Sequence, residues 1–286
     1  MFFIVGSIVV FVTVFGGYMA SGGHMSVLFQ PYEFLIIFGA AIGSFLIGNP
    51  KDVVVGTMKS MGLVLKGSRH SKATYLELLT MLYTVFRLAK TKGDLALESH
   101  VEKPEESPLF QRFPNFLHDH HALTFLCDYL RLLTLGTNNS HEVESIIDAE
   151  IEAHHTEAHS RSGAVTTVGD AMPALGIVAA VLGVIHTMGS ITEPPEVLGH
   201  LIGGALVGTF SGVLIAYGFV GPMGKSLEQT FNTETTYFQC IKTGLLAHMQ
   251  GYAPQVSVEF ARKILPDSVK PSFAEVEDAV NNMSSE

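Results

Sequence analysis

The chain has 286 residues, 47% hydrophobic and 15% charged, with a mean hydropathy of +0.33. Ordinary soluble domains carry roughly 25% charged residues, so the composition argues against a purely water-soluble globule and for several membrane spans with a water-facing part. The net charge of −10 speaks against a broad nucleic-acid surface, and two distant cysteines, Cys127 and Cys240, give no disulfide framework or zinc spacing.

A span needs about 20 mostly apolar residues. Residues 2–20 ("FFIVGSIVVFVTVFGGYMA") form the first candidate. They lack a basic n-region and their apolar core is longer than a signal peptide's, which favours a span. Residues 31–49 are the second. Residues 51–67 continue as a basic amphipathic stretch suited to the membrane interface. Residues 73–90 and 123–136 repeat apolar side chains at helical spacing. Between them, 102–114 holds Pro104, Pro108 and Pro114 and reads as a connector. Residues 141–161 are polar on most faces, with Ile146, Ile147 and Ile151 as an apolar stripe, and run on toward the third span as one long helix. The third and fourth candidates are 171–191 and 198–221, the latter ending just before Pro222.

The expected fold is all-α: a polytopic membrane protein with four transmembrane helices and a helical cytoplasmic domain. Its parts are a transmembrane hairpin (1–50), a cytoplasmic helical domain (51–165), a second hairpin (166–222) and a cytoplasmic helical tail (223–286). Charge sets the orientation. Twelve of the 17 Lys and Arg lie between Lys51 and Arg161, five lie between Lys225 and Lys270, and none lies in 1–50 or 166–224. The positive-inside rule therefore makes the middle segment, the tail and both termini cytoplasmic.

The third and fourth spans are unusual for lipid anchors. Gly204, Gly208 and Gly212 recur every four residues, the spacing by which membrane helices approach closely. Pro173 and Pro222 frame the pair, each either a helix boundary or a joint. Asp170, His186 and His200 sit near the span ends, yet no carboxylate, lysine or arginine lies near mid-membrane. A self-contained proton path would want such a group, so the pattern points to a carboxylate supplied by a partner. The histidines at 154, 155 and 159, beside Glu150, Glu152 and Glu157, and the run "HDHH" (118–121) match no zinc motif and read as solvated surface. No nucleophile elbow, phosphate loop or HExxH supports an enzyme.

"MPALGIVAAVLGVIHTMGS" and "GGALVGTFSGVLIAYGFVGP" closely resemble the third and fourth spans of the MotA family of flagellar motor stator proteins, within the MotA/TolQ/ExbB proton channels. The resemblance covers nearly the whole chain. It implies a ring, understood to be a pentamer, around two copies of MotB in the bacterial inner membrane. MotB would supply the ion-binding aspartate and the peptidoglycan anchor, and the cytoplasmic domain would push on the rotor protein FliG. Pro173 and Pro222 match the prolines that couple ion flow to torque, Thr209 a channel-facing threonine, and Asp170 an acidic residue just ahead of the first proline. "AKTKGDLALE" (89–98) resembles the rotor-facing motif, with Glu98 as its glutamate and Lys90 or Lys92 as its basic residue.

Sodium-driven relatives place a threonine seven residues after the first proline, where this chain has Ala180. Alanine offers no oxygen to a hard cation, so the permeating ion is expected to be H+, with no cofactor. An energiser of the ExbB/TolQ type is the nearest alternative; four spans and the rotor-facing motif favour the flagellar reading.

Overall fold

The computed structural model describes residues 2–67, 69–137 and 139–284. It is built from helices and turns, with no strand among the described residues. The chain folds into two compact units: Met1–Gly67 with Thr156–Phe231, and Ser68–His155 with Asn232–Glu286.

In the first unit α1 (Phe2–Ala20) and α3 (Pro31–Gly48) match the first two predicted spans. Pro31 opens α3, its fixed φ suited to a first helical turn. The short α2 (Met25–Leu28) lies between them and has no sequence signal of its own. α4 (Lys51–Lys66) follows after Pro50 and ends at Gly67, whose φ of 75° closes the helix. The third span belongs to a 50-residue helix, α9 (Ser140–Gly189), so the expected long helix is present. The fourth is α10 (Pro195–Ile215), continued by a π turn (Ala216–Val220) into α11 (Gly221–Met249).

The helix that carries the fourth span does not stop at Pro222 but passes through it. Pro222 has no N–H to bond four residues back, and its ring crowds the preceding turn. The backbone widens instead, and Gly221 N–H reaches Ala216 O, five residues back. A π turn of this kind absorbs the misfit without breaking the rod. Pro173 likewise lies inside α9 rather than at its start.

The second unit has a conventional apolar core. α5 (Lys72–Lys92) starts at a capping box, in which Ser71 and Thr74 satisfy each other's backbone N–H, and stops at Gly93, φ 83°. It buries Tyr75, Leu78, Leu82 and Phe86 in a core shared with α8 (His120–Thr134), α11 and α12 (Pro254–Lys263). The connector after α6 (Glu98–Glu102) is pinned by Glu77, whose carboxylate accepts from the Asn115 and Phe116 N–H groups at 2.8 and 3.1 Å, at the start of α7 (Pro114–Leu117). α13 (Phe273–Ser284) adds Val276 and Val280.

The predicted stripe on 141–161 is shifted. Val143, Ile147 and Ile151 are buried and Ile146 faces outward. The spacing i, i+4, i+8 selects Val143, whereas Ile146 is turned about 100° from Ile147.

Candidate functional site

α9 and α10 pack antiparallel through their smallest residues. Added Cβ atoms show how close the backbones run. A Cβ on Gly176 would lie 2.7 Å from Gly208 O, one on Gly212 2.7 Å from Met172 O, and one on Gly183 2.8 Å from the Ala205 Cβ. A Cβ on Gly208 would meet Ala180 N at 3.1 Å. Two of the three predicted glycines thus serve helix contact with α9, while Gly204 meets the Gln30 side chain that precedes α3. In lipid there is no hydrophobic drive between helices, so this close approach supplies the dispersion contact that holds them.

The register fixes which side chains share a face. α9 meets α10 with Met172, Gly176 and Gly183; α10 answers with Ala205, Gly208 and Gly212. At 3.6 residues per turn, the next positions round α9 on one flank are Pro173 and Ala180, seven apart, followed by Asp170, Ile177 and Val184. For an antiparallel partner, turning toward the same flank of α10 brings Thr209, then Ile202, Leu206 and Val213. Pro173, Ala180 and Thr209 are half-buried, and the residues beyond them are exposed. The opposite side is covered: Ala41 of α3 packs with Met172 and Ala216, and Ser211 and Gly204 are buried. The structure therefore gathers Pro173, Ala180 and Thr209 along one open, apolar face, with Asp170 on the same flank three residues before Pro173.

The two prolines meet through their neighbours. Pro173 leaves the Gly169 carbonyl without its helical donor. A Cβ on Gly169 would lie 3.2 Å from the nitrogen of Gly221, the residue before Pro222. The two interrupted turns are packed against each other. Farther along the same pair, Gly224 lies against Thr166, and Gly56 of α4 lets the Arg161 guanidinium pass over it. Sequence reading missed this last contact. Its signal was a glycine within an amphipathic helix that needed no turn there.

The other predicted residues belong to the second unit. Lys90 and Lys92 close α5, a 3-10 turn (Asp94–Leu97) follows Gly93, and Glu98 opens α6, where a carboxylate is favoured by the helix dipole. Lys90, Lys92 and Glu98 are exposed. Lys90 Nζ donates to Gly251 O at 3.1 Å. Burial and the Lys92 charge hold His100 below the ordinary histidine pKa, with its Nδ1 2.8 Å from Ser107 Oγ.

The histidines read as solvated surface are exposed or half-buried, and each touches a neighbour. His154 stacks on Phe238 at 6.1 Å between centroids, His155 lies 3.4 Å from Asn232 Oδ1, and His159 lies 3.9 Å from Glu228. In "HDHH", Asp119 accepts from Ala122 N–H and caps α8.

Comparison with known proteins matches two stretches of the chain. Residues 4–93 match the motility protein A N-terminal model, and residues 119–240 match the MotA/TolQ/ExbB proton channel family. Motility protein A of Salmonella typhimurium is 44% identical over 98% of this chain and 95% of its own length. The fold resembles C. jejuni MotAB (TM-score 0.79, 21% identity, 94% of this chain and 98% of that one). It also resembles the flagellar MotAB stator complex of Bacillus subtilis (TM-score 0.71, 25% identity, 90% and 92%). The chain belongs to the motility protein A group of the MotA/TolQ/ExbB proton channel family.

Proposed function

We propose that the chain is the stator subunit of a bacterial flagellar motor, working with a MotB partner to turn proton flow into torque on the rotor. One observation carries the reading. The open face of α9 and α10 has no carboxylate, lysine, arginine or histidine in 171–185 or 201–215, yet it presents Pro173 and Thr209, and a second proline-interrupted turn follows at Ala216–Val220. A lone anchor needs no such face, and a lone pump needs a titrating group on it. A single-span partner bearing an aspartate completes it.

In this reading Asp170, Pro173, Ala180 and Thr209 line the ion path, and Pro173 and Pro222 allow α9 and α11 to bend as the partner's carboxylate is protonated and released. Several copies, expected to be five, surround two partner helices in the inner membrane, with both termini cytoplasmic. Lys90 or Lys92, with Glu98, faces the FliG-type rotor protein. Ala180 gives a cation no oxygen, so the ion is H+ and no cofactor is needed. The match of residues 4–93 to the motility protein N-terminal model weighs against an ExbB/TolQ-type energiser.

Motor speed tests this directly. With sodium replaced at constant ionic strength, speed should hold; a protonophore should then stop rotation. Arrest on sodium removal alone would overturn the proton assignment. Normal motility in a deletion strain without a second stator would overturn the motor assignment.

A further inference from the structure

We propose that His248 is a positioning residue for the rotor-facing segment: with Asp94 and the Lys90–Gly251 bond it latches residues 90–98 to the end of α11. The proposal rests on the stator reading above and adds residues to that site.

The observations lie within one compact unit. The His248 ring stacks on Phe86 of α5, with centroids 4.7 Å apart and planes 10° from parallel. Its side chain is 8% exposed, and its Nε2 lies 3.8 Å from Asp94 Oδ1. Its Nδ1 is buried and has no hydrogen-bond partner. Just beyond the helix end, Gly251 takes φ 88°, which favours glycine, and its carbonyl accepts from Lys90 Nζ at 3.1 Å. Two polar contacts from one helix end therefore reach both sides of Gly93, the hinge between α5 and the turn at Asp94–Leu97.

A purely structural site would be filled more cheaply by an apolar side chain. A buried polar ring with an unpaired nitrogen carries a desolvation cost. Burial lowers the His248 pKa, with the Asp94 charge opposing and the Lys90 charge adding. Burial thus favours the neutral ring, and Nε2 is the nitrogen that faces the Asp94 carboxylate while Nδ1 faces the core. The nitrogen nearer a polar group, Nε2 at 3.8 Å from Asp94 Oδ1, points at the rotor-facing turn. Lys92 and Glu98, which flank that turn, stay exposed. The latch thus holds the turn while leaving two opposite charges outward. It also assigns roles within the basic pair: Lys90 fastens the segment and Lys92 presents charge to the rotor.

The test compares His248→Phe, which keeps the stack and the volume but loses the N–H, with His248→Gln, which restores a donor toward Asp94. Each is expressed with its partner subunit in a stator-deletion strain. Rotation of a bead on one flagellum is recorded as stators join one by one. Step height reports torque per stator, and the number of steps reports folding and assembly. Proton leak through the complex is measured in parallel by acidification of the cytoplasm.

The expected result is that His248→Phe lowers step height at least about twofold, the order for losing one polar contact. Step number and proton leak should stay unchanged, and His248→Gln should recover most of the torque. Unchanged step height in His248→Phe would overturn the proposal, as would fewer steps of normal height, or an equal loss of torque in both variants. Absence of steps with the unaltered chain would instead overturn the stator reading itself.

Discussion

The two units of this chain reach compactness by opposite means. In the first, backbones touch: Gly176 and Gly212 leave no room for a Cβ, and large side chains such as Ile177, Leu206 and Tyr217 point outward. In the second, side chains touch: Tyr75, Leu78, Phe86, Phe116 and Leu126 are fully enclosed, and exposed positions are mostly polar. The solvent explains the contrast. Water drives apolar side chains together at about 25 cal/mol per Å². Lipid tails offer apolar groups no such incentive, so close fit and small residues decide association. The exposed apolar face of α9 and α10 is ordinary beside lipid or partner helices and would be an aggregation hazard in water.

The largest effect should come from filling a backbone contact. Gly212→Leu places a Cβ 2.7 Å from a main-chain oxygen that cannot move aside. It should abolish motility and strip the chain from membrane fractions on an immunoblot. Gly43→Leu, with nothing within 4 Å of its Cβ, should leave both unchanged. Equal outcomes would break the contrast at its root.

Next in size is a cavity in the water-facing core. Leu78→Ala removes a fully buried side chain and should cost about 2–5 kcal/mol, seen as a lower melting temperature of the detergent-solubilised protein. The matching change on the open face, Ile177→Ala, should cost the isolated chain less than about 0.5 kcal/mol, because that side chain is 54% exposed. Recovery of the partner subunit in a pull-down should nonetheless fall. A large loss of melting temperature in Ile177→Ala without loss of partner would show that the face is covered by the chain's own fold.

The smallest effect is electrostatic and sits on the surface of the second unit. Lys72, at 2.8 Å, and the Ser272 amide hold the Glu275 carboxyl at about 2, below its usual 4.5. A depressed carboxyl adds stability that is present above the unfolded pKa and lost as pH falls toward the folded one. Glu275→Gln should therefore melt slightly lower at pH 7. The gap from the unaltered chain should close as pH drops from 4.5 toward 2. A gap that widens in acid would reverse the sign assigned to this group. High salt should narrow it at neutral pH, because the pair is exposed.

Much of the architecture was legible in the sequence. Hydropathy runs set the bounds of α1 and α3 to within a residue, because a membrane span must satisfy its backbone internally over a fixed thickness. Helical spacing located α5 and α8, and the motif around Pro173 and Pro222 carried the family. What the sequence left open turned on neighbours. Whether Pro222 ends a helix depends on a π turn that Gly221 and Ala216 permit. Whether Ile146 or Val143 faces inward is a 100° choice settled by the elements that pack there. That Pro173, Ala180 and Thr209 share one flank follows only from the antiparallel register of α9 and α10. That His248 meets Asp94, far away in the chain, follows only from α11 returning to α5. Local pattern is written residue by residue. Faces and contacts between distant residues are set when packing fixes the register of one helix against another.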